Sequence, residues 1–139
     1  MTGEPERALA VATRALARRD FSERGLRERL GRAGIPPAEA DEALGALLRA
    51  GLVNDGRFAV SRAQALAERG KGNAAIRFDL EQQGLAAEQI EAALGSLEPE
   101  RERAERVIAQ RGGGVATARL LASRGFDEDA VEAAVAHGA

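Results

Sequence analysis

The chain is 139 residues long, with 20 basic and 22 acidic side chains, a single histidine and a formal charge of −2. That length builds one substantial core or a row of small ones, and the near-neutral total exerts no long-range pull on a polyanion, so any nucleic-acid argument rests on how the charge is distributed. The absence of cysteine excludes disulfides, thiolate chemistry and cysteine-held zinc, and it fits a reducing compartment.

Apolar residues make up 45 % of the chain and aromatic ones only 3 %, all four of them Phe, while Ala, Leu, Glu and Arg dominate. These are helix formers, and no stretch alternates at period two, so an all-α fold is expected. Even Asp55-Gly56, a hairpin dipeptide by composition, lacks flanking strand patterns.

The first helix is expected over residues 6 to 18, where Leu9, Ala12 and Leu16 recur at helical spacing, and it ends at Asp20-Phe21-Ser22. Ser22 is a good N-cap for a second helix over 23 to 33, whose apolar positions are Leu26 and Leu30. Gly34 then supplies a residue able to take positive φ, Ile35 tucks back against the helix, and Pro36-Pro37 open a third helix through Ala40, Ala43, Leu44 and Leu47. The pattern recurs with breaks at Arg69-Gly70-Lys71-Gly72 and Gly84-Leu85, and again at Gly112-Gly113-Gly114 and Gly125-Phe126.

Gly34, Gly84 and Gly125 share one frame although the steps between them are 50 and 41 residues. Leu30, Leu80 or Leu121 stands four residues before the glycine, and Ile35, Leu85 or Phe126 one after it. Leu44, Leu94 or Val135 follows ten after, and Leu16, Leu66 or Val107 precedes by eighteen. A frame repeated three times defines a unit of about 40 residues, and the uneven steps point to an insertion after the first. The expected units are a three-helix repeat over 1–50, a linker helix and second repeat over 51–98, and a third repeat over 99–139. No single helix can bury its narrow apolar face alone, so the units are expected to stack into an elongated, curved array of either hand.

Charge is segregated within each unit. Residues 7 to 32 hold eight Arg against Asp20, Glu23 and Glu28, residues 62 to 77 hold Arg62, Arg69, Lys71 and Arg77 against Glu68, and residues 106 to 124 hold four Arg and no acid. Each third helix is acidic, as in Glu39, Asp41 and Glu42, Glu88, Glu91 and Glu98, or Asp127 to Asp129 with Glu132. Acids at helix starts and bases at helix ends explain part of this, and a basic and an acidic edge explain the remainder. The basic candidates for partner contact are Arg24, Arg27, Arg57, Arg62, Arg69, Lys71, Arg77, Arg119 and Arg124, with those of the middle unit central.

Between the first two units lie Gly51-Leu52, Asp55, Arg57-Phe58-Ala59 and Gly70-Lys71-Gly72. In order and spacing these resemble the RecX family, which has Gly-Leu, acidic residues, Arg-Phe-Ala and a Gly-Lys-Gly turn at these points. The segments Leu16 to Ser22 and Arg124-Gly125-Phe126-Asp127 resemble family patterns as well, so the likeness spans residues 8 to 136. It implies tandem three-helix repeats that lie in the groove of the RecA–DNA filament and modulate strand exchange, ATPase and coprotease activity. It further implies a cytoplasmic monomer without cofactor, reaching single-stranded DNA through the filament with weak direct affinity. In that reading Gly34, Gly51, Leu52, Asp55, Phe58, Gly70, Gly72, Gly84 and Gly125 are structural motif residues, with Phe58 in the core. One Lys in the whole chain and Gly112-Gly113-Gly114 in place of a charged turn depart from the pattern and weaken the case for tight direct DNA binding.

An enzyme finds little support. His137 is the only histidine, there is no Tyr, and none of the serines sits in a nucleophile-elbow context. The two glycine-rich turns lack the strand and spacing of a phosphate loop. No metal set is recognised, no run of about 18 apolar residues is present to cross a bilayer, and MTGEPERALA lacks the features of a signal peptide. The competing reading is a stand-alone DNA-binding module of helix-turn-helix type with an Arg-rich second helix, followed by a generic interaction solenoid.

Overall fold

A computed structural model describes residues 4–137; the first three and last two residues, which carry the ends of the expected first and third units, lie outside the described residues. Among these residues there are nine helices and no strand. They are α1 (Glu4–Arg18), α2 (Glu23–Arg32), α3 (Pro37–Arg49), α4 (Asp55–Glu68), α5 (Asn73–Gln82), α6 (Ala87–Gly95), α7 (Glu100–Arg111), α8 (Val115–Ser123) and α9 (Glu128–His137). The fold is an all-α helical repeat.

Three separate apolar clusters hold successive helix triads. The first gathers Ala8, Ala12, Phe21, Leu26, Leu30, Leu44 and Val53, the second Phe58, Ile76, Leu80 and Ile90, and the third Ile108, Leu121, Phe126 and Ala134. The leucine four residues before each frame glycine has no exposed surface in any unit. The glycine explains why. After α5, Gly84 takes φ +80° and its N–H donates to the Glu81 carbonyl, while the Leu85 N–H reaches back to the Leu80 carbonyl at 3.3 Å. That paired closure satisfies end carbonyls and swings Leu85 under the helix it has just left. The same pair of bonds closes α2 at Gly34-Ile35 and α8 at Gly125-Phe126.

One expected apolar position of the first helix and one position of the frame depart from expectation. Leu9 is 41 % exposed and Val135 47 % exposed. On α1 the inward face is Ala8, Ala12 and Ala15, and on α9 it is Ala130 and Ala134, so small side chains bring these helices close to their neighbours and turn the larger ones to the flank. Leu16 is half-buried beside the first cluster. The longer first step is no single insertion either: α3 has 13 residues against 9 in α6, and α4 has 14 against 12 in α7, so the extra chain is spread over several turns.

Truncating Leu80 to Ala removes a fully buried side chain and should cost about 2–5 kcal/mol, whereas Val135→Ala should cost less than about 0.5 kcal/mol. Urea midpoints of the two variants test this assignment of core and surface.

Candidate functional site

The second helices of successive units meet end to end. At the first joint Ser22 caps α2, its Oγ accepting from the Gly25 N–H at 3.0 Å and donating to the Gln83 carbonyl at the end of α5 at 3.1 Å. The Glu23 N–H donates to Asp55 Oδ1 at 2.8 Å. Arg24 lies over Gly84, where an added Cβ would come within 2.7 Å of its side chain.

At the second joint backbone does what a side chain does at the first. The Gly72 N–H donates to the Arg124 carbonyl at 2.8 Å and the Ala74 N–H to the Gly125 carbonyl at 3.1 Å. A Cβ at Gly72 would sit 2.4 Å from the Gly125 backbone, so only glycine permits this approach. The first residue of the next unit's first helix again caps the helix start, the Asn73 N–H donating to Glu100 Oε2 at 2.6 Å. Asp55 and Glu100 thus play one role in two units, each a carboxylate at the positive end of another unit's helix. Arg103 fills the joint. Its guanidinium is buried, donates to the carbonyls of Glu98 and Lys71 at 2.9 Å each and to Asn73 Oδ1, and lies 5.9 Å from the Phe126 ring centre. Burial lowers its pKa, with Glu100 and Glu98 acting in the opposite direction. Glu100 is itself pushed above its ordinary value, chiefly by burial and in part by the neighbouring Asp127, against the Asn73 N–H.

The family-motif residues divide between turns, joints and core. Gly51 closes α3 at φ +74°, and Arg57 donates to the carbonyls of Gly51 and Leu52 at 3.1 and 3.4 Å, pinning that turn. Leu52 is 55 % exposed, while Phe58 is in the core. Asp55, Gly72, Gly84 and Gly125 stand at the joints, and Gly70 leaves room for the Arg124 guanidinium.

Of the basic candidates, several are held by neighbouring acids. Arg27 binds Asp41 at 3.0 Å and Arg77 binds Glu91 through two bonds at 3.1 and 3.2 Å. Both pairs stand seven residues either side of a frame glycine; the third unit has Ala118 and Glu132 there. Arg62 grips Asp79 with two bonds at 2.7 and 2.9 Å, half-buried. Those hydrogen bonds raise the pKa of Arg62 and of Arg77. Part of the acidic edge is therefore the internal partner of the basic one.

Arg69, Lys71, Arg119 and Arg124 make no ion pair or side-chain hydrogen bond among the described residues. Two of them, Arg69 and Arg124, converge with Arg103 and Arg106 on a cleft of about 320 Å³ between the second and third triads, bordered by Glu68, Gly70, Val107 and Gln110. Arg106 also binds Glu98 at 2.6 Å. Arg103, Arg106 and Glu100 were not singled out by the sequence; the signal available for Glu100 was its place, like Asp55, as the first residue of a unit's first helix.

Tandem helix triads joined through their second helices define a helical-repeat protein of three-helix units. Residues 8–47 match the domain described as "RecX, first three-helix domain" and residues 54–94 the one described as "RecX, second three-helix domain". The regulatory protein RecX of Halorhodospira halophila is 36 % identical over 136 residues, covering 91 % of this chain and 84 % of that one. That of Chromohalobacter salexigens is 36 % identical over 135 residues, covering 91 % and 89 %. The crystal structure of RecX from Lactobacillus salivarius shares the fold with a TM-score of 0.80 at 18 % identity, over 97 % of this chain and 96 % of that one. The chain belongs to the RecX family.

Gly72→Ala should destabilise by about 1–3 kcal/mol through the clash at the joint, while Gly31→Ala, with nothing within 4 Å of its Cβ, should be neutral or stabilising by about 0.5–1 kcal/mol; denaturation midpoints distinguish them. For Glu100 the folded state disfavours the charge, so its contribution is fully present below the ordinary value of 4.5 and is lost as pH rises through the raised value. Glu100→Gln keeps an acceptor for Asn73 without the charge. It should raise Tm at pH 7, and the gain should vanish on acidification below the carboxylate range.

Proposed function

We propose that this protein binds the RecA–DNA filament and modulates its strand exchange, ATPase and coprotease activities as a non-enzymatic regulator, acting as a cytoplasmic monomer. The observation that carries the reading is membership of a family of regulatory proteins over nine-tenths of the chain, with 36 % identity to relatives that carry that name. Among the described residues no helix is long and apolar enough to cross a membrane.

The joints support a brace. Units tied by capping bonds hold their spacing, so contacts made by one favour contacts by the next, and affinity is summed over many modest interactions. Of the basic candidates, Arg69, Lys71, Arg119 and Arg124 are available for such contacts; Arg62 and Arg77, expected to be central, are committed to Asp79 and Glu91. A stand-alone helix-turn-helix reader would present the N-terminal residues of a helix to base edges. The starts of α2 and α5, at the buried Ser22 and Gly72, are covered by the following unit instead, which disfavours an Arg-rich second helix as groove reader.

Added at increasing ratios to the cognate RecA on single-stranded DNA, the protein should change the DNA-dependent ATPase rate well below one molecule per protomer. No effect at excess, together with binding to bare DNA, would contradict a filament regulator.

A further inference from the structure

We infer that the cleft between the second and third units is a phosphate site for a single-stranded nucleic-acid backbone, an inference that rests on the filament reading and gives the filament's DNA a contact within it. Four arginines meet there, Arg69, Arg103, Arg106 and Arg124, in a chain whose net charge is −2. Repeat architecture alone does not create this concentration. Counted from the helix starts at Asp55 and Glu100, the first joint has Phe58 and Ser61 in the places of Arg103 and Arg106, and it has Gln83 in the place of Arg124, while Arg19 stands where Arg69 does and Arg24 lies over Gly84. The first joint thus has arginines of its own but lacks three of the four that meet at the second.

The hydrogen-bonding capacity of the cleft selects the ligand. Arg103 spends its donors on the carbonyls of Glu98 and Lys71 and on Asn73, which removes those carbonyls as acceptors and leaves a fixed positive charge in the wall. Arg69 and Arg124 retain their guanidinium donors, and the amide of Gln110 borders the same space. Glu68 is the one acid lining it. A peptide segment would call for an apolar anchor site, and the apolar walls are only Ala67 and Val107. A phosphodiester asks for positive charge and donors alone, and guanidinium forks meet its oxygens two at a time. Gly70 serves the site by leaving the space into which Arg124 extends.

Binding of a labelled oligo-dT strand to the full chain, followed by fluorescence anisotropy across a salt series, tests the site. Each single-strand phosphate neutralised contributes a slope of about −0.7 in log affinity against log salt. The double variant Arg69→Ala, Arg124→Ala should therefore flatten the slope by about 1.4. Arg69→Ala alone, at an exposed helix end, should flatten it by about 0.7 and serves if the double variant loses its melting transition. Arg119→Ala, on α8 and outside the cleft lining, should leave more of the slope than either. No measurable binding, an unchanged slope in both cleft variants, or displacement of the strand by poly-glutamate at lower concentration than by unlabelled oligo-dT would overturn the proposal. The filament reading is read separately: an intact effect on RecA ATPase with an unchanged slope removes only the cleft, and a flattened slope without any ATPase effect removes only the filament role.

Discussion

The end-to-end meeting of second helices is the interaction on which the rest of the molecule depends. A helix leaves unsatisfied donors at its start and acceptors at its end, and here the end of one unit's helix is matched to the start of another's. The Gln83 carbonyl receives Ser22, and the Arg124 and Gly125 carbonyls receive the N–H groups of Gly72 and Ala74. Opposed dipole ends face each other, which is favourable. Because two of these three bonds join backbone to backbone, the register at the second joint is set by main-chain geometry, and glycine is required at Gly72 where the chains touch.

Charge follows from that constraint. Asp55 and Glu100 are drawn to helix starts, Arg103 is buried to occupy carbonyls the joint would otherwise orphan, and Arg27 and Arg77 fasten α2 to α3 and α5 to α6. Burying a guanidinium is tolerable only when it is hydrogen-bonded, and each of the three guanidinium nitrogens of Arg103 has an acceptor. Of the basic candidates, Arg69, Lys71, Arg119 and Arg124 remain uncommitted among the described residues, and Arg69 and Arg124 face each other across the second joint.

Much of the fold was legible because glycine and leucine report on local geometry. The frame about Gly34, Gly84 and Gly125 located all three second helices, and the cap at Ser22 was read correctly from residue type. Leu9 and Val135 were misplaced because residue size was taken to mark the buried face, whereas the alanines beside them allow the helices to approach closely. Pairings such as Arg62 with Asp79, 17 residues apart, cannot be read from one helix's periodicity, since they depend on how two helices cross. The same holds for Arg103, whose place on the charged α7 gives no sign that it is buried. Asp55 was recognised through its family motif, but its physical task belongs to Glu23 in another unit.

Native-state hydrogen exchange at the Gly72 and Ala74 amides tests most directly whether the units act as one braced body. Both donate across the second joint, so the account predicts protection approaching that of the α5 core amides at Ile76 and Leu80, with release only when the third unit unfolds. Exchange of both amides at the rate of an exposed loop, while Ile76 and Leu80 stay protected, would mean that the joint opens freely and that the units are not braced.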